Sequence, residues 1–109
     1  MNKRIPTSAE FEAASYICFA VQQQFVEKAR TYNSLAKEAV GQEKGRLQEL
    51  EEQAYKRSLF YLKQRFRAGE GAYCPNNENP SNESMDAYDK AITCYVRSLS
   101  LTQPSPPQP

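Results

Sequence analysis

Residues 7–45 read "TSAEFEAASYICFAVQQQFVEKARTYNSLAKEAVGQEKG", and the fold turns on where this stretch stops being a helix. Thr7 followed by Glu10 fits a capping box, in which hydroxyl and carboxylate satisfy free backbone amides at a helix start. No Gly or Pro interrupts Ser8 to Val40, so a helix over about 8–40 can run some eight to nine turns. Its apolar residues Phe11, Ala14, Cys18, Val21, Phe25, Tyr32, Leu35 and Ala39 recur at spacings of three and four, with Lys28 in the one slot that breaks the series. That is the seam of a helical bundle. It packs either against the rest of this chain or against a second copy; small and aromatic residues favour the former, since a dimeric coiled coil prefers Leu and Ile.

Gly41 and Gly45 bracket a predicted reversal, the alternative being one long bent helix. A second helix then covers about 46–68 and stops at Gly69 and Gly71. It carries two apolar flanks, Tyr55, Leu59, Leu62 and Phe66 on one and Leu47, Leu50, Ala54 and Tyr61 on the other. Two flanks imply two neighbours, so this is the expected middle helix. Residues 70–84 are rich in turn formers and read as a loop. A third helix spans about 85–101, or starts earlier if Asn79 caps it with Pro80 in the first turn. Its expected core face is Met85, Tyr88, Ile92, Tyr95 and Leu99. The prolines of the tail, 102–109, cannot continue it, and Pro104 and Pro107 have a PxxP spacing that more often ends a linker than binds a partner. The predicted architecture is a small all-α three-helix bundle, one domain over 1–101, with a flexible proline-rich tail.

The residue inventory narrows the chemistry. With 109 residues and no histidine, the chain lacks the usual general base at neutral pH and the commonest zinc ligand. Sequence-adjacent carboxylates such as Glu10 with Glu12 or Glu51 with Glu52 point apart on a helix and cannot share a proton. Cys18, Cys74 and Cys94 are odd in number and form no close pair, so reduced thiols are expected, with only Cys74 in a loop where reactivity is conceivable. No phosphate-cradling glycine loop follows a strand. No apolar run approaches the roughly 20 residues of a membrane span, and the start carries no apolar signal segment. A non-enzyme without cofactor or metal, cytoplasmic and off the membrane, is the expectation.

Net charge is +1, but charge is segregated. Residues 54–67 hold Lys56, Arg57, Lys63, Arg65 and Arg67 without an acid, whereas 70–90 hold Glu70, Glu78, Glu83, Asp86 and Asp89 against Lys90 alone. Helix chemistry explains part of the basic strip: Glu52 and Lys56 form a favourable pair one turn apart, and Arg65 and Arg67 suit the negative end of the helix dipole. Phe60 remains, a ring among Lys56, Lys63 and Arg67. Exposed basic and aromatic side chains together can stack on bases while contacting phosphates, so Lys56, Phe60, Lys63 and Arg67 are the candidate contact residues for a partner or a nucleic acid strand.

"AYDKAITCYVRSLSLTQP", Ala87 to Pro104, resembles the second helix of a tetratricopeptide repeat. Tyr88, Ala91, Ile92, Tyr95, Ser98, Leu99 and Leu101 fall at that family's tyrosine, alanine, apolar, aromatic, small and leucine positions. The likeness covers about 17 of the 109 residues, has no second copy, and follows a loop longer than the family's turn. It implies binding of a peptide or helix from another protein, with no catalytic residue to carry over. The function expected from the sequence is therefore a non-catalytic helical adaptor or structural subunit binding partner proteins within a larger assembly. A homodimer through the first helix is a further expectation. The alternative is a small helical subunit of a nucleoprotein complex that contacts single-stranded RNA or DNA through residues 55–67.

Overall fold

A computed structural model describes residues 4–74 and 79–102, the side chains of 100–102 excepted. They form three helices, α1 (Ser8–Glu38), α2 (Gly41–Ala72) and α3 (Asn82–Thr102), and no strand among the described residues. The remainder of the tail expected over 102–109, with Pro104 and Pro107, lies outside them.

The start of α1 is the capping box read from the sequence. The Glu10 amide donates to Thr7 Oγ1 at 3.1 Å, and the Thr7 amide donates to Glu10 Oε1 at 2.9 Å. Arg4 adds a two-pronged ion pair to the same carboxylate, at 2.7 and 2.6 Å. The reversal after α1 is shorter and earlier than the predicted turn over 41–45. Ala39 and Val40 are both extended, and Gly41 opens α2 with a φ of 66°, a left-handed conformation that glycine adopts without strain. Residues 42–45 are then already helical, where Glu43 pairs with Arg46 at 2.6 Å and sits well in the positive first turn.

The helix α2 also outlasts its predicted end at 68, continuing through Gly69 and Gly71 to Ala72. Gly71 stays helical because a helix has no quarrel with glycine's backbone angles, and its missing side chain is filled by a neighbour: a Cβ there would stand 2.6 Å from the Phe11 ring. Ser8 Oγ donates to the Ala72 carbonyl, so the start of α1 caps the end of α2. Residues 73–81 connect to α3, a shorter link than the 70–84 loop expected. Ser81 Oγ accepts the Ser84 amide at 3.1 Å, which starts α3 ahead of residue 85.

The core lies at one end of the α1–α2 hairpin and is built from small residues. Ala14 and Cys18 of α1, Ala68 of α2, and Ala87 and Ala91 of α3 are buried together, with Ile17 and Tyr88 packed against them. Short side chains let the three backbones approach closely, and two serines use that closeness. Ser15 Oγ donates to the Arg65 carbonyl at 3.1 Å, and Ser84 Oγ donates to the Arg67 carbonyl at 2.6 Å. Phe11 is sealed inside, edge-on to Tyr88 with ring centroids 5.8 Å apart.

The inner face of α3 differs from the expected one. Ser84, Ala87 and Ala91 are buried, Met85, Tyr88 and Ile92 are half-buried, and Tyr95 and Leu99 are exposed. The bulky stripe gives way because only the small stripe fits against Ala14, Cys18 and Ala68. The α1 seam divides likewise: Phe11, Ala14 and Cys18 are buried, but further along Ala29 and Ala36 take the inner position while Leu35 is 50% exposed. A strict three-four series drifts around a straight helix of about 3.6 residues per turn, and Cys18, Ala29 and Ala36 keep to one face where Leu35 does not.

Candidate interaction surface

The predicted contact residues lie on the exposed line that the α2 helix gives their spacing. Lys56, Phe60, Lys63 and Arg67 are separated by four, three and four residues, which places them on one stripe. Lys56 is ion-paired with Glu52 at 3.4 Å, a solvated contact with 73% of the lysine side chain exposed. Phe60 is 39% exposed and stands edge-on to Tyr61 at 5.2 Å. Lys63 is exposed, and Arg67 is half-buried where Ser84 of α3 meets its backbone. Beside this line, Asp86 and Asp89 share a shallow cleft of about 220 Å3 with Tyr61, Lys90, Cys94 and Arg97. The acidic block thus borders the basic strip in space as well as in sequence.

A larger surface lies on the adjoining flank of α2, where the sequence predicts core. The middle helix does touch both others, but α3 settles on the side of Tyr61, Gln64, Ala68 and Gly71, not on the Tyr55, Leu59, Leu62 and Phe66 flank. Leu59 is 63% exposed and Phe66 is 61% exposed. Across the hairpin groove α1 contributes Tyr16, 66% exposed, and Phe19. Between the helices is an open hollow of about 320 Å3 lined by Glu12, Ser15, Tyr16, Phe19, Arg65, Gly69, Ala72 and Tyr73. The Arg65 guanidinium lies 4.5 Å over the Phe19 ring and 5.9 Å from Phe66. Ring faces attract a cation, so these contacts hold the guanidinium against the two rings. The readable signal for this face was the Ala68–Gly71 and Ala87–Ala91 small-residue pattern, which marks where α3 belongs and so which flank stays open.

The thiols are arranged as structure. Cys18 is fully buried, and burial, reinforced by nearby Cys94, pushes its thiol up to about 11. Cys94 Sγ is 3.1 Å from the Tyr61 hydroxyl. Burial, then that hydrogen bond, pushes Tyr61 up to about 12. Both Cys18 and Tyr61 are therefore protonated near neutral pH and poor nucleophiles. Among the described residues no three His, Cys, Asp or Glu side chains gather closely enough to hold a metal ion, and no helix is long and apolar enough to cross a membrane.

Comparison of the chain with protein-family models, with curated proteins and with solved structures finds no match.

Proposed function

We propose that this chain is a non-catalytic helical subunit that binds a partner protein through the open aromatic face of its α1–α2 hairpin. The observation that carries this reading is the exposure of Tyr16 and Phe19 on the wall of one groove, with Phe66 joined to it through Arg65 and Leu59 exposed two turns earlier on the same flank of α2. A contiguous apolar patch rimmed by polar groups is costly to leave in water and marks an interaction site. Tyrosine and arginine, here Tyr16, Tyr73 and Arg65, are the residue types that anchor protein interfaces. The likeness of residues 87–104 to a tetratricopeptide helix, whose family binds peptides or helices, points the same way.

A nucleic acid strand along Lys56, Phe60, Lys63 and Arg67 is the second reading, favoured by their shared exposed line on α2. It is the weaker one, because Lys56 already has an acidic partner and Arg67 is half-covered. The two readings separate in one experiment. The tagged chain and a Leu59→Ser/Phe66→Ser variant are purified from the cells that make the protein, at low and high salt. The protein-binding reading expects a partner protein held at both salts by the native chain and lost in the variant, with unchanged circular dichroism. Recovery of nucleic acid that washes off in salt and depends on Lys56 and Lys63 would replace it with the second reading.

A further inference from the structure

The side of the hairpin that α3 covers continues beyond it. Ala91 is the last α3 residue buried in the core, Cys94 reaches Tyr61, and every described α3 side chain from Tyr95 onward is exposed. Alongside and past that point the same side of α1 and α2 carries Val21, Phe25, Tyr32 and Leu50, all half-buried, and Leu35, half-exposed, with the Phe25 ring stacked on Tyr61 at 5.9 Å. Leu35 is the exposed one among them, and the others keep part of their surface in water.

Three cations stand along this uncovered seam. Lys28 Nζ sits 5.5 Å over the Phe25 ring. On α2, Arg57 stands one turn before Tyr61 and Arg46 one turn before Leu50, on the same side of the helix. Arg46 is already bound to Glu43, and Asp86 and Asp89 stand beside Tyr61 at the α3 end. No carboxylate comes within ion-pair distance of Lys28 or Arg57 among the described residues. The seam is thus an apolar stripe with positive edges.

We infer that this distal seam is a docking site for an acidic amphipathic helix of a partner protein, laid along the hairpin beyond the end of α3. Such a helix buries its apolar stripe on Val21, Phe25, Leu35 and Leu50 and sets its carboxylates against Lys28 and Arg57. The molecule's own α3 shows that the hairpin accepts this chemistry, since it packs with an inward apolar face and an edge bearing Asp86 and Asp89 beside Tyr61. A second copy of this chain is the poorer occupant, because it presents the same cations and brings like charges together on one seam. A nucleic acid would satisfy the cations but leave the apolar stripe wet.

The test uses the full chain and a labelled designed helix of 18 residues or so, with leucines on one stripe and glutamates on both flanks. Its twin carries lysines in place of the glutamates. The glutamate helix is expected to bind, and Lys28→Glu/Arg57→Glu, two exposed substitutions, should weaken it on the order of tenfold while strengthening the lysine helix. Leu35→Ser should weaken both pairings, and Phe66→Ser, on the opposite face, should leave them unchanged. That last control keeps failure here separate from failure of the aromatic-face reading. The inference is overturned if the glutamate helix does not bind, or if both helices bind the native chain equally. It also falls if the chain sediments as a dimer dissociated by Leu35→Ser, or if a thymidine oligonucleotide binds through Lys28 and Arg57.

Discussion

Gly71 and Gly69 sit two positions apart on α2 and ask for opposite treatment. A Cβ at Gly71 would meet three Phe11 ring atoms at 2.6 to 2.8 Å, and Phe11 is sealed in the core with nowhere to swing. Gly71→Ala should therefore cost about 1–3 kcal/mol by overpacking, outweighing the better helix propensity of alanine. At Gly69 the nearest neighbour of an added Cβ is Ser15 Oγ at 3.8 Å, an ordinary contact. Gly69→Ala should gain about 0.5–1 kcal/mol from the restricted unfolded chain and the helical interior. Thermal melts of the two variants check both signs. Glu10 gives a pH signature at the same scale. Hydrogen bonds from Arg4, then from Thr7, lower its carboxyl from the ordinary 4.5 to about 2. Because the folded value is depressed, its contribution is full above about 4.5 and is lost as pH falls through about 2. A Glu10→Gln variant should show a flatter melting temperature over that window than the native chain. The capping box was legible because Thr7 and Glu10 are local, whereas the role of Gly71 was not, since its partner Phe11 lies at the far end of the hairpin sequence.

Among the elements, α1 was read almost to its end, because an uninterrupted apolar period with a cap needs no tertiary information. The reading failed where glycine was taken as punctuation. Gly45 faces open space inside a helix, Gly69 and Gly71 lie within the last turns of α2, and Gly41 alone makes the reversal. Glycine marks the reversal only where its backbone takes a positive φ, at Gly41, and sequence order does not show which glycine does so. The orientation of α3 was misread for a related reason: the amphipathic pattern offered a bulky stripe and a small one, and the small-residue surface of the hairpin selected the small one. The α3 interface should accordingly be intolerant of volume. Ala91→Leu should destabilise by about 1–3 kcal/mol, and hydrogen exchange should show α3 opening before the α1–α2 hairpin unfolds. Ala13→Leu, on an exposed position of α1, is the matched control and should leave stability nearly unchanged.

At the scale of the whole molecule, the chain is the all-α three-helix bundle its sequence predicts, with one side of the hairpin only partly covered. A third helix covers one end of one side of a long hairpin, leaving the aromatic groove on the far side and the cation-edged seam beyond α3. Of the predicted strip, Lys56, Phe60 and Lys63 are exposed and Arg67 is half-buried. The aromatic face escaped notice because large apolar residues at helical spacing mean core whenever a partner helix is assumed to reach them. Which flank a short helix covers depends on contacts between residues far apart in the chain, and periodicity within one helix carries no record of that choice.

The account stands on the aromatic face being open in the free chain and covered at work. Hydroxyl-radical footprinting of the isolated chain and of the chain in its native assembly measures this directly. The account predicts strong labelling of Tyr16, Leu59 and Phe66 in isolation and several-fold protection of all three in the assembly, by a protein component. Unchanged labelling of these residues in the assembly, or protection confined to residues 56–67 on the Lys56–Arg67 line, would contradict it.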